Sequence, residues 1–375
     1  PAWVFGNSHY GFISDEKIIC AYTRKGIWRL GEIDVRKNQL QEIETPYTTI
    51  SYLRIGGDEK IYFIAGKPDE PSAAVEMDYR TRQVRRLRQA SELKIDKGYI
   101  SSPDLIEFPT EGGLNAYGFF YAPCNKDFCA PEGEKPPLIV MVHGGPTGAT
   151  STSMALKIQY YTSRGLAVVD VNYGGSTGFG REYRNRLLGR WGIVDVDDCC
   201  NAAKYLAKRG LVDGRRLAIT GGSAGGYTTL AALTMRDTFT AGASHYGVSD
   251  CEALAKETHK FEAHYLDRLI GPYPQRKDLY IQRSPIHHCE NLSCPIIFFQ
   301  GDEDKIVPPN QAKMMVNVLK KKHLPVAYIE FKGEQHGFRK AENIKRALEA
   351  ELYFFSRIFG FELAEPVEPV DIENL

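Results

Sequence analysis

The segment ITGGSAGGYTTL, Ile219–Leu230, places one serine among four glycines, between an apolar run and a run that carries alanine and leucine. The preceding residues, RLAIT, have the short apolar pattern of a buried strand, and the following residues are typical of a helix. G-x-S-x-G between a strand and a helix is the arrangement in which a serine occupies a strained turn and exposes its hydroxyl above a sheet. Ser223 is therefore a candidate nucleophile, and a plain glycine-rich turn is the alternative.

The chain around this segment alternates between strand-like and helix-like runs from residue 101 onward. Eight runs have the composition of strands: DLIEFP, AYGFFYAP, LIVMVHG, LAVVDVNY, RLAITG, AGASHYG, IIFFQG and VAYIEF. Such alternation is typical of a mostly parallel sheet covered by helices on both faces. The strand before Ser223 is then the fifth of eight.

Two helices can be predicted together with their buried faces. The first covers residues 194–209, where Asp195 and Asp198 lie largely outside the apolar face. The second covers residues 341–359. Apolar residues at spacings of three and four define the two faces, Val196, Cys200, Ala203 and Ala207 in the first helix and Ile344, Leu348, Leu352 and Phe355 in the second. The acidic, proline-bearing residues 363–375 are expected to form a loose tail.

The first hundred residues contain an internal repeat. DEKIICAY at 15–22 is echoed by DEKIYFIA at 58–65, and EIDVRKNQLQEI at 32–43 is echoed by EMDYRTRQVRRL at 76–87. Short runs rich in Ile, Tyr, Val and Phe alternate there with turn residues. Repeats of about 40 to 45 residues built from short strands are typical of propeller blades. The alternative is a small antiparallel sheet with chance similarity.

Charge and hydropathy exclude several function classes. Lys plus Arg and Asp plus Glu both number 47, so the formal net charge is zero. A chain without a basic surplus lacks the charge that neutralises nucleic-acid phosphates or attracts an anionic membrane surface. Its apolar runs are also far shorter than the roughly 20 residues of a membrane-spanning helix. We therefore expect neither a nucleic-acid nor a membrane partner.

The start of the chain and the cysteines indicate whether the protein is cytoplasmic or secreted. The chain opens on Pro1 rather than Met, and two blades cannot close a ring of four to eight, so we expect the C-terminal part of a longer protein. No charged-then-apolar run opens the sequence, so we expect no leader peptide. Cys124 and Cys129 lack a C-x-x-C or second ligand pair, so reduced thiols in a cytoplasmic protein are predicted rather than a disulfide or metal site. The sequon Asn291-Leu292-Ser293 favours secretion, but it arises often by chance.

A serine nucleophile needs a base that accepts its proton and a carboxylate that orients the base. In proteins with this serine turn, the chain order is Ser, then Asp or Glu, then His. Asp302 and Asp304 follow the seventh strand, and His336 follows the eighth and precedes Gly337. Other histidines lack that placement and are interpreted as structural or surface residues: His259, His264, His287 and His288.

Acyl transfer also needs two fixed donors for the developing oxyanion. One is the backbone N–H of Ala224, directly after the candidate nucleophile. The other is expected from the loop after the third strand, which reads HGGP at 143–146. Pro146 has no N–H, so Gly144 or Gly145 must donate. We expect Gly145 to do so.

Five blocks of the sequence, taken together, resemble a known family. They are HGGPTG, NYGGSTGFGREY, GGSAGGYTTLAAL, GDEDKIVPPNQA and GEQHGF. Their content and order over residues 101–360 resemble the prolyl oligopeptidase family of serine peptidases, in particular its acylaminoacyl-peptidase and dipeptidyl-peptidase-like branch. The resemblance implies an α/β-hydrolase fold with a mostly parallel eight-stranded sheet in residues 101–362. It also implies that residues 1–100 are the closing blades, about two, of a partial β-propeller.

The resemblance implies a role for each candidate residue. Ser223 is the nucleophile, His336 the base and Asp304 the orienting acid, while Gly145 and Ala224 supply the oxyanion donors. No metal or organic cofactor is implied. Two features depart from the family pattern: most of the propeller is missing, and the two blades lack the glutamate pair that binds a free amino terminus in some dipeptidyl peptidases.

Three functions follow as hypotheses. The first is a serine peptidase that hydrolyses a short peptide or acyl-peptide substrate through an acyl-enzyme. The second is a carboxylesterase or amidase on small acyl substrates, because the same triad attacks either bond. The third is a non-catalytic protein that binds a partner through the propeller, which a broken triad would indicate. Open blade edges favour self-association, so a homo-oligomer also remains an expectation.

Overall fold

The computed structural model describes residues 5–258 and 260–375, so Pro1 and His259 lie outside the described residues. Within these ranges, sixteen strands form three sheets. Two are antiparallel sheets of four strands, and the third has eight strands. This architecture confirms the predicted order of two blade-like sheets followed by a mostly parallel sheet.

The two small sheets contain the internal repeat. The first consists of β1 (Tyr10–Ser14), β2 (Lys17–Arg24), β3 (Ile27–Asp34) and β4 (Gln39–Ile43), and the second of β5 (Thr49–Ile55), β6 (Lys60–Gly66), β7 (Ala73–Asp78) and β8 (Val84–Gln89). The first repeated motif covers β2 and β6, and the second covers the hairpins β3–β4 and β7–β8. Each repeat therefore corresponds to the same strands of one sheet.

The small sheets share one hydrophobic core. Alternate residues of a strand point to the same face, and Ile61 and Phe63 of β6 are accordingly buried. They pack in a cluster with Ile19 and Leu30 of the first sheet and Met77 of the second. The two small sheets are thus packed face to face.

The large sheet spans the rest of the chain. Its strands are β9 (Asp104–Pro109), β10 (Asn115–Tyr121), β11 (Leu138–Val142), β12 (Ala167–Asn172), β13 (Leu217–Gly222), β14 (Ala241–His245), β15 (Ile296–Gly301) and β16 (Val326–Phe331). The spatial order is β9-β10-β12-β11-β13-β14-β15-β16, where β10 is antiparallel to both neighbours and the pairs from β12 to β16 are parallel. The strand β13 that precedes Ser223 is central in this sheet.

Helices cover both faces of the large sheet. They are α1 (Leu156–Thr162), α2 (Arg181–Asn185), α3 (Val194–Lys208), α4 (Ala224–Met235), α5 (Cys251–Glu257), α6 (Tyr265–Leu269), α7 (Lys277–Arg283), α8 (Pro309–Lys321) and α9 (Ala341–Phe359). Along β11, Leu138 and Val140 join the core that contains α3, α4 and α8, whereas Ile139 and Met141 join the core that contains α1 and α9. A continuous apolar strand is expected where both faces are covered.

Two details of the predicted helices are wrong. Asp195 and Asp198 of α3 are buried, because both carboxylates accept hydrogen bonds from groups in the interior. Ile344 of α9 is 49% exposed, so the buried stripe of that helix begins only later, at Ala347. Within the residues that the structure describes, none of the helices is long and apolar enough to cross a membrane.

The C-terminal residues 363–375 differ from the loose tail that was predicted. Val370 is buried in the core beside α9. The N–H of Glu373 donates to the carbonyl of Val326 at 2.9 Å, and the N–H of Val326 donates back to Glu373 at 3.0 Å. Apolar burial and backbone pairing with β16 therefore hold this segment on the edge of the large sheet.

Candidate active site

Ser223 lies in the turn between the last residue of β13, Gly222, and the first residue of α4, Ala224. Its backbone has φ 57° and ψ −120°, a conformation that is strained for a non-glycine residue. A Cβ at Gly221 would lie 2.4 Å from the carbonyl carbon of Gly225, so the sharp turn requires glycine there. This local geometry is that of the G-x-S-x-G nucleophile elbow.

His336 and Asp304 lie next to this serine. The Nε2 of His336 is 2.8 Å from the Oγ of Ser223, and the Nδ1 of His336 is 2.8 Å from the Oδ2 of Asp304. The three residues follow the carboxyl ends of β13, β15 and β16, which lie at one edge of the sheet because these strands are parallel. The structure therefore brings the three predicted side chains into one hydrogen-bonded chain.

The surroundings of Asp304 fix its carboxylate. Its side chain is fully buried, and its Oδ1 accepts the N–H groups of Ile306 and Val307, each at 2.9 Å. Its Oδ2 also lies 3.3 Å from the Nε2 of Gln300. Backbone N–H groups that bind one oxygen leave the other directed at His336.

The two predicted oxyanion donors lie on either side of the serine turn. Ala224 is the first residue of α4, and first-turn N–H groups of a helix have no intrahelical partner. Gly145 follows β11 in a loop with φ +64°, and in its neighbour Gly144 an added Cβ would lie 3.7 Å from the Cβ of Ser223. The loop after β11 and the start of α4 thus both lie next to Ser223.

Tyr246 is a site neighbour that the sequence patterns did not reveal. It follows β14, has φ 40°, and its ring lies 4.9 Å from the imidazole of His336 between centroids. Burial raises the pKa of its hydroxyl, and the nearby Asp304 carboxylate raises it further. A tyrosine in this backbone conformation is uncommon, but nothing local in the sequence distinguishes it.

The histidines interpreted as structural or surface residues lie elsewhere. His264 is 91% exposed at its side chain and pairs with Asp267 on α6, and the Nε2 of His288 bonds the carbonyl of Gln282. His259 lies outside the described residues. In the described ranges, 5–258 and 260–375, no cluster of three or more His, Cys, Asp or Glu side chains could hold a metal ion.

The fold and these contacts define a class of protein. A mostly parallel eight-stranded sheet with a serine in a strained strand-to-helix turn, and with His and Asp in the loops after later strands, is the arrangement of the α/β-hydrolase serine hydrolases. Residues 152–362, more than half of the chain, match the sequence profile described as the prolyl oligopeptidase family. The chain belongs to this family of serine peptidases.

Curated relatives are similar to this chain over part of their length. Dipeptidyl aminopeptidase BIII of Pseudoxanthomonas mexicana is 32% identical over 237 residues, which are 62% of this chain and 34% of that protein. Acylamino-acid-releasing enzyme 1 of Oryza sativa subsp. japonica is 31% identical over 217 residues, 55% of this chain and 28% of that protein. The chain thus spans about a third of the length of these relatives.

Solved structures are similar over the whole chain. A puromycin-hydrolyzing peptidase of Mycobacterium tuberculosis has 43% sequence identity and a TM-score of 0.94, over 100% of this chain and 56% of that one. An acylaminoacyl peptidase bound to Z-Gly-Gly-Phe-chloromethyl ketone has 25% identity and a TM-score of 0.76, over 99% of this chain and 58% of that one. The similarity includes the two small sheets as well as the large one.

Proposed function

We propose that this protein hydrolyses peptide or acyl-peptide bonds through an acyl-enzyme formed on Ser223. The observation that carries the proposal is the hydrogen-bonded chain of Ser223, His336 and Asp304 at a strained strand-to-helix turn. The family of the chain supports it, because one relative and both structural neighbours reported above are named as peptidases. Relatives named for acylamino-acid release support acyl-peptides as substrates.

The proposed reaction has two halves, acylation of Ser223 and deacylation, and both use the same residues. The Oγ of Ser223 attacks the carbonyl carbon while Nε2 of His336 takes its proton, and the Asp304 carboxylate holds the other ring N–H and stabilises the imidazolium. The N–H groups of Gly145 and Ala224 bind the oxyanion of the tetrahedral intermediate. His336 then gives the proton to the leaving amine. Water then attacks the acyl-enzyme by the same steps and releases the carboxylic acid.

The rest of the chain has proposed roles beside this chemistry. We propose that residues 101–362 are a catalytic unit and that residues 1–100 are derived from a propeller, and the bond between Gly26 and Gly178 supports contact between the two. We propose a cytoplasmic location, supported by all eight cysteines, each within the described ranges, being free thiols. The neutral net charge supports a peptide rather than a nucleic acid or membrane as partner.

Replacement of Ser223 tests the proposal. In Ser223→Ala, turnover of short peptide nitroanilides should fall on the order of a million-fold, because the covalent step is lost. Labelling by a fluorophosphonate probe should disappear while circular dichroism stays unchanged. Ser91→Ala, at an exposed serine, is the control and should behave as the wild type. Retained labelling of the folded variant would refute the assignment.

Assays on different substrates distinguish a peptidase from an esterase. Peptide nitroanilides, acetyl-amino acid nitroanilides and puromycin are compared with short acyl esters under the same conditions. Puromycin is included because two similar structures are named for its hydrolysis. Cleavage of esters alone would contradict a peptidase and favour an esterase, and the absence of both labelling and turnover would favour a non-catalytic protein.

A further inference from the structure

The loop of residues 174–180 lies between β12 and α2 and contacts two parts of the molecule. We call it the bridging loop. On one side it bonds the loop that follows β11, residues 143–148, here called the oxyanion loop. On the other side it bonds the turn between β2 and β3 of the first small sheet. It therefore forms a physical connection between the small sheets and the candidate active site.

Hydrogen bonds fix the oxyanion loop to the bridging loop and to itself. The Oγ of Ser176, a fully buried residue, lies 2.8 Å from the Nε2 of His143. The N–H of Thr177 donates to the carbonyl of Gly148 at 2.8 Å, and the N–H of Gly148 donates to the carbonyl of Gly145 at 2.7 Å. Two successive hydrogen bonds thus connect the Gly145 carbonyl to the bridging loop.

The chemistry of His143 assigns the direction of its bonds. Its Nδ1 lies 3.1 Å from the carbonyl of Gly144, and a carbonyl only accepts, so Nδ1 carries the hydrogen. Burial lowers the pKa of His143 to about 4, so the ring is neutral and its Nε2 accepts the hydroxyl hydrogen of Ser176. The ring also stacks on Tyr173 with centroids 4.4 Å apart. Its orientation is therefore fixed from three directions.

The turn of the first small sheet holds the other side of the bridging loop. The N–H of Gly26 donates to the carbonyl of Gly178 at 3.1 Å. A Cβ on Gly26 would lie only 2.7 Å from the Cζ of Phe179, whose ring stacks on Tyr117 with centroids 4.7 Å apart. The adjacent Lys25 forms an ion pair with Glu107 of β9 at 3.0 Å.

We propose that Ser176 and His143 are positioning residues that hold the Gly145 N–H in place, and that the Lys25–Gly26 turn of the first small sheet holds them in turn. The inference rests on the proposed function, because it takes Gly145 as an oxyanion donor. A donor acts only when it lies about 2.7–3.1 Å from the oxyanion. Gly144, Gly145 and Gly148 contribute no side chains to the packing of the oxyanion loop, so contacts from other segments help to fix its backbone.

The alternative is that the Ser176–His143 bond only stabilises the fold. The two hypotheses predict different effects on the kinetic constants. A misplaced oxyanion donor stabilises the transition state less well and leaves substrate binding nearly unchanged. The kcat therefore falls while KM stays within a few-fold. A purely structural bond changes thermal stability and leaves the kinetic constants of the folded protein as they were.

The first experiment removes the bond. Ser176→Ala should lower kcat for a short peptide nitroanilide and the rate of fluorophosphonate labelling of Ser223 by about 10- to 100-fold, since displacements of about 1 Å have such effects. Binding of a peptide aldehyde, whose hemiacetal oxygen occupies the oxyanion position, should weaken by a similar factor. KM should change by less than about threefold.

Two substitutions of His143 keep the test independent of Ser176. The amide of His143→Gln reaches the position of Nε2 and can still bond Ser176, whereas that of His143→Asn reaches only the position of Nδ1. We therefore expect the glutamine variant to retain more kcat than the asparagine variant. An equal loss in both, or none in either, would overturn the role of the Ser176 bond.

The second experiment tests the small sheet. Gly26→Ala should lower kcat and the labelling rate, because its methyl group displaces Phe179. Gly6→Ala is the matched control: its φ is +74° against +77° for Gly26, but its Cβ would meet nothing within 4 Å. Equal kinetics in the two variants would overturn the connection to the small sheet. Failure of the wild type to label would refute the proposed function, whereas normal labelling of the wild type and of Ser176→Ala alike would refute only this inference.

Discussion

Asp302 and Asp304 are two residues apart, yet their carboxylates have different tasks in the fold. The Oδ1 of Asp302 accepts the N–H of Gly333 at 2.7 Å, in an exposed turn between the ends of β15 and β16. The carboxylate of Asp304 is buried and faces the Nδ1 of His336. A short acidic side chain after a strand often stabilises a turn in this way. Of these two aspartates, Asp304 is the one whose carboxylate contacts the imidazole of His336.

The pair allows a matched prediction. Asp304→Asn should lower kcat about ten-thousand-fold, because an amide in place of the carboxylate favours the wrong tautomer of His336 and no longer stabilises the imidazolium. Asp302→Asn, which removes the same charge from the same loop, should cost less than about tenfold. Turnover of a peptide nitroanilide by both folded variants is the measurement. The reverse ranking would assign the acid to Asp302.

The sequence contained enough information to bring Ser223, Asp304 and His336 together, but not the contacts that support them. All three follow strands of one parallel sheet, so strand order alone predicts their meeting. The bond between His143 and Ser176 has no such basis, because it joins two loops 33 residues apart whose path depends on packing. Such contacts are set by tertiary structure and leave no local pattern.

Helix α9 also has buried contacts that its sequence pattern did not predict. Its bounds, 341–359, were predicted correctly because its apolar period is clear, and Gly360 in a left-handed conformation follows its last residue. Its buried face was predicted only in part. Glu351 is fully buried, since its carboxylate binds the ring of His245 at 2.6 Å and the ammonium of Lys157 at 3.1 Å. Partners from distant segments make this burial possible.

Helix α3 carries two further buried carboxylates. The Oδ2 of Asp198 accepts the N–H of Gly174 at 2.6 Å, and Asp195 accepts the N–H of Gly192 at 2.6 Å. Burial raises the pKa of each carboxyl to about 6, although these hydrogen bonds oppose the shift. Both side chains join α3 to loops near the carboxyl edge of the sheet.

Asp198 should make stability depend on pH. Its carboxyl titrates near pH 6 in the folded protein and near its ordinary pKa of 3.8 when unfolded. Its contribution is therefore fully present below pH 3.8 and is lost as the pH rises through 6. Asp198→Asn does not titrate, so between pH 4 and pH 7 its free energy of unfolding should gain about 2–3 kcal/mol relative to the wild type.

Urea denaturation of both proteins at several pH values between 4 and 7 measures this difference. Asp15→Asn, at an exposed aspartate, controls for the loss of one negative charge and should follow the wild type. A difference between wild type and Asp198→Asn that stays constant over this range would contradict the raised pKa.

The arrangement of the three sheets was predictable, whereas their mutual packing was not. Strand-like repeats and alternating strands and helices predicted two blade-like sheets and a mostly parallel sheet, because periodicity reports which faces are buried. The sheets meet through turns. Gly26 bonds Gly178, and the N–H of Met154 donates to the carbonyl of Lys67 at 2.7 Å. Backbone contacts between turns have no sequence signature.

The small sheets and the large sheet have separate hydrophobic cores. In the described part of the chain, the buried cluster of the small sheets shares no member with the two clusters of the large sheet. Ile27 of β3 is partly buried against the large-sheet core and adds one apolar contact between them. Regions with separate cores can open with separate free energies, since each loses its own buried surface.

We therefore predict that the small sheets unfold locally without the large sheet. Ile61→Ala removes a fully buried side chain from the small-sheet core and should cost about 2–5 kcal/mol. Amide hydrogen exchange of residues 10–89 should then accelerate by at least about 30-fold, because each 1.4 kcal/mol is tenfold in the opening equilibrium. Exchange of α4 should stay unchanged. Ile219→Ala, at a fully buried position of β13, is the reciprocal control and should accelerate exchange in the large sheet. Equal acceleration of both regions by Ile61→Ala would show instead that the turn contacts and Ile27 couple the sheets into one cooperative unit.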